Sequence, residues 1–559
     1  MLTIHNLGQR LRSALPVLHW APRYQKEWLR LDIVAGLTLA AYAIPVSLAY
    51  ASLAGLPGEA GFYCYLLGGV AYVAFGTSRH LAVGPTSAIS ILIGASLGSM
   101  ASADTGRQIQ LAMATAVLVA AIGVLAWLFR LGNVVNFISE TVLSGFKVGA
   151  GLVIISTQLP KLFGVRTGGS NFFSRVVQLA THLGQTNLPT LTVGVGALVL
   201  LILGEWLLPR RPVALFVVVL SIVFMSVMPM AGLGVKTIGS IPAGLPDLRW
   251  PLVAWNEVDD LFALALGCFL LAYVEGISVA RTFAQKHGYE INADQELLAL
   301  GAANLASGLG HGYPLAGGMS QSAVNEKGGA KTPLALVFAS LGIGAVLLFL
   351  TGFMKNLPDP VLAAVVFMAV WGLIHPKELM HIRRVSKLEF RVAMVATLGV
   401  LAFGILKGVL LAAVLTMLLL LRRASWPRVL RLGRLPGSDR FVDALRYAEH
   451  ELVPGVLVFR IESGLFYFNV QNVKAEILSQ AGAYSGLTLV ILDLSTSANI
   501  DLAGGRMLSD LHRELAVRGA ELKLAEVHGE VRDMLQAEGL QEYVEGIEQR
   551  VAVPELVAH

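Results

Sequence analysis

Charge is what this sequence has least of. Only 14% of its 559 residues are Asp, Glu, Lys or Arg, against about 25% in a typical soluble chain. The shortage is local: from Asp32 to about Leu421 one apolar run follows another, and then the charges return. That excludes a single soluble globule and implies a polytopic membrane part with a soluble tail. Cysteine is equally scarce. Cys64 and Cys268 both sit in apolar runs, which excludes a disulfide framework and a zinc site. The first 30 residues carry Arg10, Arg12, Arg23, Lys26, Glu27 and Arg30 without a clean apolar core. They do not read as a cleaved signal, and the first span is expected to stay. The net charge is only +5, and its basic residues cluster beside apolar runs, which argues for membrane topology and against a nucleic-acid partner. The sequence has no metal-ligand cluster, nucleophile elbow or phosphate loop, so an enzyme is not expected. His311 in "GLGHGYP" reads as structural or interfacial.

A membrane helix needs about 20 apolar residues. Candidate spans cover 33–54, 62–76, 107–130, 134–160, 188–207, 212–230, 260–283, 333–354, 359–375, 388–405 and 407–422, with a weaker one near 293–308. Two stretches are short and glycine-rich: "LAVGPTSAISILIGASLG" (81–98) and "LASGLGHGYPLAGGMSQSAVN" (305–325). In each, an extended Gly/Pro segment leads into a helix that opens with small and hydroxyl residues. They occupy corresponding places in two halves, a pattern that points to a transporter built on inverted repeats. Length supports roughly 14 spans. Arg23, Lys26 and Arg30, "LPRRP" at 208–212, "HPKELMHIRRVSK" at 375–387 and "LRRASWPRVLRLGR" place both termini in the cytoplasm.

The expected organisation is a cytoplasmic N-terminal segment (1–30), a transport domain (31–422), a basic linker (423–436) and an α/β domain (437–559). In the tail, 455–469 reads as a hairpin-like pair of strands, 487–495 as a buried strand, 504–519 as an amphipathic helix and 521–527 as another strand. Glu275 stands 14 residues beyond Leu261, where the apolar run starts. A carboxylate there costs roughly 2.5–3.5 kcal/mol on insertion scales. An intramembrane acid is a functional hypothesis by default; a structural pair with Lys147 and an interfacial position are the alternatives.

These motifs resemble those of the SulP anion transporters, the sulfate permease family. "DIVAGLTLAAYAIPVSLAYASLAGLPGEAGFY" is similar to the family's first-span signature, "GTSRHLAVGPTSAIS" to its third-span motif, and "ELLALGAANLASGLGHGYPLAGGMSQSAVNEKGGAKTPLA" to its ninth-to-tenth-span motif. "LVILDLSTSANIDLAGGRML" resembles a STAS domain. The resemblance implies two inverted repeats of seven spans, core and gate domains, a homodimer in the bacterial inner membrane, and an anion site between the third and tenth spans. It also implies an elevator-like movement of core against gate, with membrane lipid around it and a tail that docks a soluble protein.

A helix N-terminus carries about half a positive charge and several unpaired N–H groups. Two such ends at mid-membrane form an anion pocket without a fixed cation. Thr86, Ser87 and Ala88 are assigned to one end and Ser320, Gln321 and Ser322 to the other, with Tyr50 from the first span, expected to break near Pro45, as a further polar contact. Close helix packing is the bland alternative for such small residues. Glu275 is assigned to proton coupling, with Lys147 as its charge partner or as an attractor of anions. In sodium-coupled bicarbonate members the acid is Asp, with Thr four residues later and another Thr in the tenth-span motif. Here those positions hold Glu275, Val279 and Met319, which favours a proton over sodium. Gln321 stands where many members have Arg, and Val46 where the first-span motif often has Gln. In the tail, Leu502 follows Asp501 in place of a phosphorylatable Ser, so Asp493, Asp501 and the following glycines read as a structural or docking module. The reading is a proton-coupled sulfate symporter, with no cofactor beyond the proton. Bicarbonate or a C4-dicarboxylate as substrate, an exchanger or channel, and a membrane-anchored STAS scaffold remain the alternatives.

Overall fold

The computed structural model describes residues 15–558, except 101–103, 133–139, 166–168, 170, 209–211, 229, 372–373, 375, 541–544, 546 and 548–549. Arg10, Arg12 and the arginines of "LPRRP" fall outside the described residues. The chain divides into two compact units, Met1–Thr416 and Met417–His559.

In the first unit, α1 (Lys26–Leu53), α2 (Gly58–Phe75), strand β1 (Val83–Gly84), α3 (Ser87–Met100), α4 (Thr105–Leu128), α5 (Glu140–Phe163), the surface helix α6 (Phe172–His182), α7 (Leu188–Leu207) and α8 (Val213–Val227) form the first repeat. The second repeat follows the same order. It comprises α9 (Trp255–His287), α10 (Ala293–Leu309), strand β2 (Ala316–Gly317), α11 (Met319–Lys327), α12 (Leu334–Phe349), α13 (Asp359–Trp371), the surface helix α14 (Pro376–Val385), α15 (Lys387–Phe403) and α16 (Ile405–Ser425). Leaving aside α6 and α14, each repeat supplies seven membrane segments. These two helices bury no residue and stand at the same place in each repeat, between its fifth and sixth segments. Among the described residues, four helices are long and apolar enough to cross a membrane by length and composition: α1, α4, α7 and α9.

Packing sorts the segments. The first four of each repeat pack together, α10 against α2 and α4 and α12 against α1, and form the core. In the gate, α13 and α15 pack on α5, and α7 on α13. The first span does not break at Pro45. α1 is continuous through it, although Pro45 offers no N–H to the preceding turn.

The second unit holds a sheet in the order β4-β3-β5-β6-β7, from β3 (Val429–Arg434), β4 (Phe441–Asp443), β5 (Val456–Ile461), β6 (Leu489–Asp493) and β7 (Glu521–Ala525). β5, β6 and β7 are parallel, joined by α17 (Val470–Gly482) and α18 (Leu502–Val517). Two differences from the sequence reading appear. The stretch read as a basic linker contains β3, which pairs with both β4 and β5. Two of its arginines, Arg431 and Arg434, sit on this strand, with Arg431 over the Tyr484 ring. The expected hairpin at 455–469 is one strand. After Ile461 the chain folds on Asn469, whose Oδ1 accepts from Phe466 N at 2.9 Å while its Nδ2 donates to Gly464 O at 2.9 Å.

Asp501 caps α18, accepting from Gly504 N at 2.9 Å and from Tyr467 N at 2.8 Å. Asp493 is nearly fully buried and pairs with Arg460 at 2.7 Å. Removing one partner of a buried pair typically costs about 3–5 kcal/mol. Because Arg460 keeps 33% of its side-chain exposure, Asp493→Ala is expected to destabilise the tail by only about 2 kcal/mol. Urea unfolding of residues 417–559 produced alone would measure it.

Candidate anion site in the core

The two glycine-rich stretches meet. Val83 pairs with Gly317 and Gly84 with Ala316, antiparallel, and each strand runs directly into a half-helix, β1 into α3 and β2 into α11. Pro85 biases Gly84 toward extended backbone, and Pro314 does the same for Tyr313. Close approach requires the glycines. A Cβ at Gly84 would run into the Tyr65 ring, and one at Gly317 would come within 2.6 Å of Leu81.

Side chains lock the ribbon. Ala82 N donates to Ser322 Oγ at 2.9 Å. Asn304 accepts from Leu315 N at 2.9 Å and donates to Leu315 O at 3.1 Å. Ser90 Oγ and the Tyr313 hydroxyl are 3.1 Å apart. The Tyr65 hydroxyl donates to Gln321 Oε1, and Gln321 Nε2 donates to Ala316 O at 3.2 Å.

Neither half-helix has a side-chain cap at its start. Gly318 precedes α11 and brings no side chain. Thr86 stands at the N-cap position of α3, since Ser90 N donates to Thr86 O at 2.9 Å. Its Oγ1 is buried and has no hydrogen-bond partner of normal geometry. Among the described residues, no side chain caps the first-turn N–H groups of either helix, and uncapped groups of this kind are available to a ligand. Both ends carry partial positive charge toward the same region.

The predicted residues divide into two kinds. Ser87 is buried and neighbours Tyr50, which is itself close to Glu275. Ser320 is exposed and neighbours Tyr42. Ala88 is half-buried at the start of α3. Gln321 and Ser322 are buried and bound within the ribbon, where they fix its geometry. Glu275, on α9, lies beside Thr86 and within the electrostatic reach of Lys147 on α5. The structure thus brings Glu275, Lys147 and the α3 terminus together. Val279 is buried and Met319 exposed.

Sequence reasoning missed Tyr42 and Tyr65. The signal for Tyr42 was a second tyrosine in the same apolar span as Tyr50; Tyr65 carried none, because its partner Gln321 is 256 residues away. It also missed a second buried acid. Glu296 accepts from the Tyr72 hydroxyl at 2.8 Å, Thr77 N at 2.8 Å, Thr77 Oγ1 at 2.6 Å and Ser78 N at 3.2 Å. Four donors satisfy it, so it serves to anchor the loop entering β1. Glu275 has no comparable cradle.

Tyr65→Phe leaves Gln321 Oε1 without its donor. A buried acceptor left unpaired costs about 1–3 kcal/mol, so a lower Tm in detergent and weaker anion binding are expected together. A Tm shift with unchanged anion affinity would separate Tyr65 from the site.

The sulfate permease family model matches residues 29–396 and the STAS domain model residues 447–553. A Mycobacterium tuberculosis protein named "Probable sulfate transporter Rv1739c" is 34% identical over 529 residues, covering 93% of this chain and 94% of its own length. Among solved structures, the murine Slc26a9 anion transporter in the inward-facing state superposes with a TM-score of 0.90 at 23% identity, covering 98% of this chain and 94% of its own. The transmembrane domain of the cyanobacterial bicarbonate transporter BicA gives 0.61 at 22% identity, over 70% of this chain and 98% of its own.

Proposed function

The chain belongs to the sulfate permease family, and from that premise we propose that it is a secondary active anion transporter, a proton-coupled sulfate symporter. The observation that carries the reading is the pair of uncapped half-helices joined by the β1–β2 ribbon, with Glu275 beside one of them. Backbone N–H groups and two helix dipoles receive the oxyanion. Ser87, Ser320, Tyr50 and Tyr42 add hydroxyl donors. A divalent anion in this setting needs compensating charge, and a proton on Glu275 supplies it. Sodium is the weaker choice, because Val279 and Met319 bring no side-chain oxygen at the two positions that hold Thr in the sodium-coupled pattern.

The core carries the site and the gate stays in place while the core moves, an elevator-like cycle. The protein works as a homodimer in the bacterial inner membrane with both termini cytoplasmic, and its tail serves as a docking module for a soluble protein. The mycobacterial relative's name gives sulfate its lead among oxyanions.

The test is radiolabelled sulfate uptake into proteoliposomes with and without an inward proton gradient. Gradient-stimulated uptake is expected, with bicarbonate and fumarate competing weakly. Absence of sulfate uptake alongside uptake of either competitor would overturn the substrate. Uptake indifferent to the gradient would overturn the coupling and favour an exchanger or channel.

A further inference from the structure

A cavity lies between core and gate, away from the ribbon. It measures about 260 Å³ and is lined from the core by Ser52 and Gly94 and from the gate by Gln158, Lys161, Asn171 and Arg175. No acidic side chain is among its described lining residues. Ser52 and Lys161 stand near the C-terminal ends of α1 and α5. The cavity is therefore on the membrane face opposite Arg23 and Lys26, which precede or open α1.

Its place along α3 ties it to the anion site. Ile91 and Gly94 also face it, one to two turns beyond Ser87 at about 1.5 Å per residue. An anion leaving this cavity along α3 toward Ser87 reaches the first-turn N–H groups. The cavity is several times the roughly 30 Å³ share of a water molecule, so it admits a partly hydrated oxyanion.

Its chemistry suits that cargo. Lys161 Nζ donates to Ser52 Oγ at 2.8 Å across the core–gate boundary. Asp359 is near enough to offset part of the Lys161 charge, and Arg175 restores a surplus. Arg175 Nε donates to Gly169 O at 3.1 Å, which fixes the guanidinium at the rim. Gln158 and Asn171 bring amide donors. A cleft lined by one sign of charge concentrates counter-ions and raises capture rates.

We propose that this cavity is an outer vestibule that captures the transported oxyanion before it reaches the half-helix site, with Lys161 and Arg175 as the capturing cations. The bound anion takes the place of Ser52 as acceptor from Lys161. This deepens the transport reading and rests on it for the identity of the anion.

The test reads the vestibule separately from transport. Thr157 lines the cavity, and the native thiols, Cys64 and Cys268, are buried. Thr157→Cys in the full-length protein is labelled from the outside with anionic and cationic methanethiosulfonates. Labelling by the anionic reagent is expected to be at least tenfold faster, and millimolar sulfate should slow it. Lys161→Met with Arg175→Met should bring the ratio near one and abolish the sulfate effect, whereas Lys161→Arg should keep both. In cells, the double variant should raise the half-saturation for sulfate uptake at least fivefold with less than a twofold fall in maximal rate, and should lose the wild type's sensitivity to external ionic strength. A labelling ratio indifferent to the two cations, with no protection by sulfate, overturns the vestibule even where uptake proceeds. Charge-dependent, sulfate-protected labelling in a protein that takes up no sulfate supports the vestibule and overturns the substrate instead.

Discussion

Glu275→Gln is expected to abolish stimulation of sulfate uptake by a proton gradient, with net uptake under the gradient falling at least tenfold. Tenfold corresponds to about 1.4 kcal/mol, a modest demand on a residue whose insertion alone costs roughly 2.5–3.5 kcal/mol. Gln keeps the size of the protonated acid and its capacity to sit beside Thr86 and Lys147, but holds no titratable proton. Sulfate-for-sulfate exchange, which moves no net proton, should therefore persist within a few-fold. That split separates coupling from simple damage to the fold. Gradient stimulation that survives in Glu275→Gln would remove the residue from the coupling step. Loss of exchange as well would make it a structural acid like Glu296, whose four donors leave it no freedom.

The second large effect is expected at Gly84. A side chain there collides with the Tyr65 ring, and Tyr65 also holds Gln321 at the start of α11. One substitution therefore disturbs both half-helices. Overpacking a tight site costs about 1–3 kcal/mol, and Val, branched at Cβ, leaves the ring less room than Ala. Uptake is expected to fall about tenfold in Gly84→Ala and about a hundredfold in Gly84→Val, the latter equivalent to about 2.8 kcal/mol. Gly98 lies on α3, the half-helix that follows Gly84, with nothing within 4 Å of an added Cβ. Gly98→Ala should transport like the wild type. Equal losses at both positions would mean that the ribbon contact is not what matters.

The sequence by itself determined the class of the protein and the position of its two half-helices. Apolar run length follows from bilayer thickness, and a Gly/Pro segment ahead of a hydroxyl-opened helix is a local pattern readable without partners. Glu275 was legible for the same reason, since an acid in an apolar run has a cost that needs no structure to see. The strand hidden in the basic linker was not. Arg431 and Arg434 read as a charged tether until β3 is seen between β4 and β5. Pro45 likewise read as a break, whereas packing of α1 against α11, α12 and α13 keeps the helix continuous.

Only tertiary structure decided which polar groups are free. Ser320, Gln321 and Ser322 look alike as donors in sequence, yet Gln321 and Ser322 are committed within the ribbon to Tyr65, Ala316 and Ala82, while Ser320 is exposed beside Tyr42. Thr86 reads as an ordinary helix cap, but its hydroxyl caps no first-turn N–H and lies beside Glu275 instead. The vestibule draws on segments far apart in the chain, from Ser52 to Arg175 and on to Gly404. Local chemistry fixes what each residue can offer. Which offers remain open depends on contacts between residues hundreds of positions apart, and those are set by packing.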